Sequence, residues 1–461
     1  MARPPRITRE SLSLLIRARG PVSATELASA LRANRTTIIR TLPDFGSELV
    51  TLGATRSTRY LLRRSLRNIG NRWPVYRIDP DGQAREWAEI EALHERHWRV
   101  NWADEAPEWI GHFTHPDGLW MGFPFFLGDA RPQGFLGRAI ARQISVPLQL
   151  PEDPRLWNGD EDILVYLQSS GEDLPGNLVV GDDCLRRALT RSVTPSTVPE
   201  EERATHYLTQ ATQITLLPIS SSAGGEQPKF LTTLENHGEF SPVIVKFTAP
   251  TGQPTARRWA DLLVCELHAH EVLAGSGLAT AGTRLLDAGD RRFLEIPRFD
   301  RQGAGGRLGV VSLEALYASA IGGHARDWIH ATRELYQEGL LDESALATVR
   351  RLQAFGELIG NSDMHFGNLA FRLEDTLHFQ VTPSYDMLPM LWAPGPQGEL
   401  VERPFSPAPP LPAEREPWRI AAVWAEDFWN RVTSDERISP DFSRIAHTAL
   451  ATVRQLRRHV G

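Results

Sequence analysis

The chain contains little cysteine and almost no lysine, and it lacks long apolar runs. Its 461 residues include two cysteines, Cys184 and Cys265, which lie far apart and outside any C-x-x-C motif. This spacing excludes a disulfide scaffold and a cysteine zinc site. No stretch approaches the roughly 20 apolar residues that span a bilayer, and no signal-peptide core follows the basic first residues. Because 41% of residues are hydrophobic and 23% charged, we expect a globular, cytoplasmic, multidomain protein.

Lysine is the rarest of the common charged residues here. Lysine and arginine total 50, yet the lysines are only two, Lys229 and Lys246. Arginine presents a planar fork, whereas lysine is a compact point charge on a slim stem. All other Lys/Arg positions of the chain are arginine. Two lysines so close together therefore indicate a site that needs an ammonium group, such as a phosphate-binding site.

Positive charge is concentrated at one end of the sequence. Residues 1–72 hold fourteen arginines and four acids, a net charge of +10, whereas the whole chain is −7. The remaining residues therefore carry −17. A basic module attached to an acidic body indicates a nucleic-acid footprint confined to that module.

The same segment has the pattern of a winged helix-turn-helix domain. Its apolar spacing predicts helices over about 8–19, 23–31 and 34–42, followed by two strands within 48–62 around an arginine-bearing turn. The predicted DNA contacts are Arg35, Thr36, Thr37 and Arg40 on the third helix, with Arg56 and Arg59 on the wing. The alternative is a small interaction module whose arginines are merely solvated.

The strongest chemical signal lies in GNSDMHFGNLAF, residues 360–371. Asp363 and Asn368 are five positions apart, the separation used in the catalytic loop of protein kinases between the base and a metal-binding asparagine. His365 lies two residues after the predicted base, where a donor could reach a transferring phosphoryl group. Asp386, in VTPSYDMLPM, is predicted to be the second magnesium ligand.

Two upstream segments complete this constellation. Lys246 ends a β-forming run and is predicted to pair with ATP phosphates, and Glu266 on the following helix could hold it in place. The loop SSAGGEQPKF, which ends in Lys229, could cradle phosphates with its backbone N–H groups. The order and spacing of these segments predict phosphoryl transfer.

Through these motifs the sequence resembles the HipA family of bacterial serine/threonine kinases, toxins of type II toxin–antitoxin systems. The shared signatures are S-x-x-G-x-Q-x-K (Ser222, Gly225, Gln227, Lys229), then Lys246, Glu266, RFDR (298–301), N-x-D-x-H-x-x-N (361–368) and Tyr385-Asp386. The resemblance implies that these glycine-loop residues with Lys246 bind ATP, that Asp363 is the catalytic base, and that Asn368 and Asp386 hold Mg²⁺. It also implies autophosphorylation of Ser222, or of its neighbours Ser220 and Ser221.

The resemblance gives an α+β architecture with the two-lobed HipA-like kinase fold. The expected parts are a winged-helix DNA-binding domain (1–72), a HipA-like N-terminal subdomain (73–210), a kinase small lobe (211–301) and a large helical lobe (302–461). Family members usually depend on a separate helix-turn-helix antitoxin. This chain carries its own basic module, as in the YjjJ-like branch, which puts a separate antitoxin in doubt.

The predicted partners are DNA and a protein substrate, with no membrane. Known targets of the family include aminoacyl-tRNA synthetases, but nothing in these residues selects one, and a homodimer is expected by analogy alone. Two other functions stay open. One is a small-molecule phosphotransferase, and the other is a transcription regulator whose kinase fold senses nucleotide.

Overall fold

The computed structural model describes residues 7–115, 118–157, 159–216, 227–395 and 397–460. These residues form two five-stranded sheets and three two-stranded sheets, with helices packed around them.

The N-terminal module consists of three short helices and one antiparallel pair of strands. Its elements are α1 (Arg9–Arg19), α2 (Ala24–Ala30), α3 (Arg35–Thr41), β1 (Leu49–Leu52) and β2 (Arg59–Leu62). Thr8, Ser23 and Asn34 cap the three helices by accepting hydrogen bonds from backbone N–H groups in the first turn. Ser23 and Glu26 form the capping box that their spacing predicts. The helices and strands predicted for this segment are confirmed.

A second unit is an antiparallel sheet flanked by helices. Its strands are β3 (Arg72–Ile78), β4 (Ala84–Ala92), β5 (His97–Trp102), β6 (Leu119–Met121) and β7 (Leu178–Val180), in the order β6-β5-β4-β3-β7. The helices are α4 (Phe125–Gly128), α5 (Gly134–Leu148), α6 (Gly159–Ser170) and α7 (Asp182–Val193). Tryptophans and phenylalanines from the strands and α4 fill the space between them.

The N-terminal module is joined to this second sheet along β4. The Arg64 N–H donates to the Ala92 carbonyl oxygen at 2.9 Å, and Arg63 bridges Leu93. Beside this contact, three arginines surround the fully buried carboxylate of Glu91. The distances are 3.2 Å from Arg63, 2.9 Å from Arg72 and 2.7 Å from Arg99. Part of the positive charge of residues 1–72 is therefore neutralised inside the molecule.

The third unit is a five-stranded sheet with two helices packed against it. Its strands are β8 (Thr197–Pro199), β9 (Lys229–Asn236), β10 (Glu239–Phe247), β11 (Arg284–Ala288) and β12 (Arg291–Pro297), in the order β11-β12-β10-β9-β8. Its helices are α8 (Arg203–Leu216) and α9 (Pro254–Ala274). Strand β8 pairs in parallel with β9, although the predicted division at residue 210 assigns β8 to the preceding segment. The pairing is driven by apolar contacts of Val198 and Tyr207 with Phe230 and Leu234.

The rest of the chain is mainly helical. Two small sheets, β13 (Arg301–Gln302) with β14 (Gly306–Arg307) and β15 (Val310–Ser312) with β16 (Ala370–Arg372), precede and flank the helices. The helices are α10 (Leu313–Ala320), α11 (Trp328–Gln337), α12 (Glu343–Ile359), α13 (Arg415–Ser434) and α14 (Pro440–Val460). Throughout the described ranges, every helix is too short or too polar to cross a bilayer.

Candidate active site

Lys246 lies between two carboxylates that come from separate parts of the chain. It is on β10, and its Nζ is 2.5 Å from Glu266 Oε1 on α9 and 2.5 Å from Asp386 Oδ1. Lys246 is 5% exposed and Glu266 fully buried, whereas the Asp386 side chain keeps 31% of its surface exposed. The structure thus brings together three residues predicted to belong to one site, and Asp386 is the member that faces outwards.

The charges of this triad are set by burial and by mutual attraction. Burial works against the ammonium group, but Asp386 and Glu266 outweigh it and raise the pKa of Lys246. Burial would raise the pKa of Asp386 as well, yet the nearby Lys246 and Lys229 lower it. Burial does raise the pKa of Glu266, against the pull of Lys246. Lys246 is therefore charged and Asp386 ionised at neutral pH.

The two lysines of the chain are direct neighbours across the sheet. Lys229 begins β9 and is paired with Lys246 on β10, so both side chains lie on the same face. Like charges in this arrangement repel each other unless anions lie close by. The carboxylates of Glu266 and Asp386 supply such anions, and both lysines lower the pKa of Asp386.

Asn361 organises the loop between α12 and β16. Its Oδ1 accepts a hydrogen bond from the Asp363 N–H at 3.0 Å, and its Nδ2 donates to the Asp386 carbonyl oxygen at 3.3 Å. The Asn368 Nδ2 donates to the Asp363 carbonyl oxygen at 2.8 Å. These bonds hold Asp363, Asn368 and Asp386 in one local network. No role is predicted for Asn361 from the sequence, although it is the first residue of the N-x-D-x-H-x-x-N motif.

Asp363 and His365 project from this loop into solvent. Both are exposed, whereas Asn368 is buried. His365 Nδ1 accepts a hydrogen bond from the Gly367 N–H at 3.1 Å, so the neutral imidazole carries its proton on Nε2. The Trp328 Nε1, at the start of α11, donates to the His365 carbonyl oxygen at 3.0 Å and fixes the loop to that helix. The exposed carboxylate and imidazole can both reach a substrate from outside.

Backbone conformation and aromatic packing hold Asp386 in its position. Its φ of 52° is in the left-handed region, which costs a non-glycine residue energy and persists only where neighbours enforce it. The preceding Tyr385 donates its hydroxyl to the Gly367 carbonyl oxygen at 2.8 Å and stacks on Phe299 at 5.8 Å. Tyr385 thus ties Asp386 to the loop that bears Asn368.

The predicted glycine loop lies mostly outside the described residues. Ser220, Ser221, Ser222 and Gly225 are all outside them. Gln227 is described, and its Nε2 donates to the Phe247 carbonyl oxygen at the end of β10. Its buried Oε1 has no hydrogen-bond partner among the described residues, and the same holds for Glu266 Oε2. Both oxygens can accept a further hydrogen bond.

The donor set suits a magnesium ion that arrives with phosphates. Asn368 offers an amide oxygen and Asp386 a carboxylate, the hard ligands that Mg²⁺ prefers. In the part of the chain that the structure describes, His, Cys, Asp and Glu side chains form no group of three able to hold a metal. Because Mg²⁺ is usually held by one or two carboxylates together with substrate phosphates, the residues present fit this use.

The charged residues of the RFDR segment form a cluster of their own, whereas its Phe299 stacks on Tyr385. Arg298 donates to both Asp300 oxygens at 3.0 and 2.9 Å, and Arg298 and Arg301 both pair with Asp173 at 3.1 and 2.9 Å. Asp173 belongs to the loop between α6 and β7. This buried cluster joins the third unit to the second.

Five of the six predicted DNA-contacting residues are described with their side chains, and all five are exposed. Arg35, Thr36, Thr37 and Arg40 on α3 are all exposed, and so is Arg59 on β2. Arg59 also donates to the Pro21 carbonyl oxygen at 3.1 Å. The side chain of Arg56 is outside the described part.

Comparisons with known proteins agree with this architecture. A model of the middle domain of YjjJ-like toxins matches residues 69–189, and a model of the HipA-like C-terminal domain matches residues 221–452. Toxin YjjJ of Escherichia coli K12 is 37% identical over 446 residues, covering 96% of this chain and 97% of that protein. The chain therefore belongs to the HipA-like toxins, within their YjjJ-like group.

A solved structure extends the likeness to the fold. HipA of Shewanella oneidensis MR-1, determined in complex with HipB and its operator DNA, matches 84% of this chain and 99% of its own with a TM-score of 0.52. The two sequences are 15% identical. At that identity the match carries the fold alone.

Proposed function

We propose that this chain is an ATP- and Mg²⁺-dependent serine/threonine protein kinase with a DNA-binding winged helix fused to it. The observation that carries the proposal is the contact of Lys246 with Glu266 and Asp386 beside the hydrogen-bonded loop of Asn361, Asp363 and Asn368. This grouping supplies what phosphoryl transfer needs, since the protein contributes positioning and charge stabilisation rather than covalent chemistry. Growth inhibition would follow from phosphorylation of a component of translation.

Each residue has a distinct task in this proposal. Lys246 and Lys229, with the loop that holds Ser222, Gly225 and Gln227, bind the ATP phosphates, and Glu266 orients Lys246. Asn368 and Asp386 would hold Mg²⁺, and the bound ion would neutralise charge on the phosphates. The Asp363 carboxylate orients the substrate hydroxyl and accepts its proton as the oxygen attacks the γ-phosphorus and the bond to ADP breaks. His365 donates from Nε2 to the transferring group.

The test is incubation of the full chain with labelled ATP and Mg²⁺, followed by mapping of the phosphorylated residue. We expect label on Ser220, Ser221 or Ser222 in the wild type. In Asp363→Asn it should fall by roughly 10²- to 10⁴-fold, because the base is lost. Asp183→Asn, which changes an exposed acid on α7, should retain full labelling. Equal labelling of Asp363→Asn and the wild type would contradict the assigned base.

The N-terminal module supports the second half of the proposal. Three short helices followed by two antiparallel strands are typical of a winged helix, and the exposed α3 carries Arg35 and Arg40. Arginines that contact phosphates displace condensed counterions, so binding weakens steeply with salt. The predicted boundaries at 72 and 301 belong to the same proposal, whereas the boundary at 210 lies inside α8, whose sheet begins with β8.

DNA binding is best tested with point variants of the full chain. Deletion of the whole module would uncover Leu93 and Leu119, which pack against Val50, Leu52 and Leu61. We expect Arg35→Ala with Arg40→Ala to lower the slope of log affinity against log salt by about 2. Arg186→Ala, in an exposed arginine of α7, should leave the slope unchanged. An unaltered slope in the double variant would remove α3 from the DNA interface.

A further inference from the structure

The two proposed magnesium ligands stand at the two ends of one hairpin. We call residues 369–382 the metal-site hairpin, because it begins directly after Asn368 and ends four residues before Asp386. Its strands are held by hydrogen bonds from the Arg372 N–H to the Gln380 carbonyl oxygen at 2.7 Å and from the Thr382 N–H to the Ala370 carbonyl oxygen at 3.0 Å. Any twist of this hairpin would change the positions of both ligands together.

The far end of the metal-site hairpin is gripped by the second unit through Asp375. Arg77 on β3 donates to both Asp375 carboxylate oxygens, at 2.8 and 3.0 Å, and the Trp87 Nε1 on β4 donates to the same carboxylate at 3.3 Å. The Arg77 guanidinium also lies over the Trp87 ring at 4.3 Å. Arg77 is 5% exposed, whereas the Asp375 side chain is 46% exposed. The buried Arg77 is therefore fixed within the second unit, and its hydrogen bonds hold Asp375 and the turn of the hairpin in place.

Three further hydrogen bonds hold the backbone of the same turn. The Glu108 N–H donates to the Asp375 carbonyl oxygen at 2.8 Å, and the Leu377 N–H donates to Glu108 Oε2 at 3.0 Å. The Trp109 Nε1 donates to the Glu374 carbonyl oxygen at 2.7 Å. A turn of four residues is thus bound on its side chain and on its backbone. Six hydrogen bonds in all therefore fix this turn to the second unit and the segment that follows β5.

We propose that Arg77, Trp87 and Glu108 are positioning residues for the metal site, acting through Asp375 and Leu377 on Asn368 and Asp386. The inference rests on the proposed function, since it takes Asn368 and Asp386 to be the magnesium ligands. The bound turn is about seven residues from Asn368, or roughly 20 Å along an extended strand. Mg²⁺ tolerates little departure from octahedral geometry, so fixing the hairpin preorganises its ligands. The YjjJ-like middle domain is then part of the catalytic machinery rather than a spacer.

The experiment measures binding of a non-hydrolysable ATP analogue by calorimetry, once with Mg²⁺ and once with EDTA. Asp375→Asn and Glu108→Ala should each weaken Mg²⁺-dependent binding by roughly tenfold and leave metal-free binding within about twofold, as for lost outer-shell partners of other metal sites. Glu108→Gln keeps an acceptor for the Leu377 N–H and should restore the wild-type affinity. Arg85→Gln, which breaks an exposed pair with Asp79 on the same sheet, and Glu105→Ala, near Glu108, are the matched controls.

The outcomes separate this inference from the proposed function. A wild type that binds the analogue equally with Mg²⁺ and with EDTA would refute the metal site itself. A wild type that depends on Mg²⁺, with Asp375→Asn and Glu108→Ala indistinguishable from the controls, would overturn the positioning role and leave the kinase proposal standing. If Asp375→Asn proves unstable because Arg77 is left buried without its partner, the Glu108→Ala and Glu108→Gln pair decides.

Discussion

At the scale of single residues, Gly360 illustrates how the loop of residues 361–368 is positioned. It ends α12 with a φ of 77°, in the left-handed region that glycine enters without steric cost. A Cβ at this position would come within 2.9 Å of the Trp392 ring. Two conditions therefore favour glycine at position 360, directly before Asn361. The backbone has a positive φ, and the Trp392 ring leaves no room for a Cβ.

Gly339 provides a matched test, because it has a φ of 78° and no atom within 4 Å of the position its Cβ would take among the described residues. Gly339→Ala should cost about 1–2 kcal/mol from backbone strain alone. Gly360→Ala should cost about 3 kcal/mol, because the clash with Trp392 adds to the strain, and it should lower autophosphorylation. Thermal midpoints and labelling of both variants check this, and similar midpoints would show that Trp392 moves aside freely.

Residue patterns predicted much of the site but not its connections. The β-run before Lys246 and the helix that carries Glu266 were enough to predict that these two side chains are neighbours. The bridging role of Asn361 depends on the left-handed turn at Asp386, which lies 25 residues along the chain in a contact that no local pattern encodes. The sequence therefore predicted which side chains lie together but not the hydrogen bonds that order them.

At the scale of elements, the join between the N-terminal module and β4 is the feature that sequence reasoning misjudged. Charge counting treats every arginine of residues 1–72 as available to DNA. In the structure Arg63 and Arg72 pair with Glu91, and Arg64 pairs with Asp160 at 3.2 Å. Composition cannot distinguish an arginine that awaits a phosphate from one that already holds a buried carboxylate. The positive charge that remains for the proposed DNA contacts is therefore smaller than the net charge of +10 indicates.

Glu91→Gln should loosen this join. The substitution leaves three arginines around a site that no longer carries negative charge, and breaking a buried ion pair costs about 3–5 kcal/mol. We expect faster trypsin cleavage after Arg63, Arg64 and Arg67, mapped by mass spectrometry. The control is Glu89→Gln, since Glu89 is 35% exposed and 3.8 Å from Arg72, and such surface pairs contribute less than about 1 kcal/mol. Equal cleavage of the two variants would mean that the ion pairs of Glu91 do not hold the join.

At the scale of the whole molecule, the middle unit links the two ends. Its β4 carries Glu91, which faces the N-terminal module, and Trp87, which faces the metal-site hairpin. Arg77 and Asp375 are 298 positions apart in sequence, and neither lies in a recognisable motif. Local periodicity predicted the helices and strands of the N-terminal module, whereas such long-range pairs are set by tertiary packing. Family resemblance predicted the overall architecture, but only the structure shows the contacts that join its units.

The pairing of Lys229 with Lys246 has a chemical consequence. Reagents that acylate amines can modify a lysine side chain of this protein at these two positions and nowhere else, because all other basic side chains are arginine or histidine. The half-buried Lys229 is the more accessible of the two, since Lys246 is enclosed between its carboxylates. Apart from the N-terminal α-amine, acylation of this chain therefore reports on Lys229 and Lys246 alone, and a molecule bound over β9 and β10 should lower it.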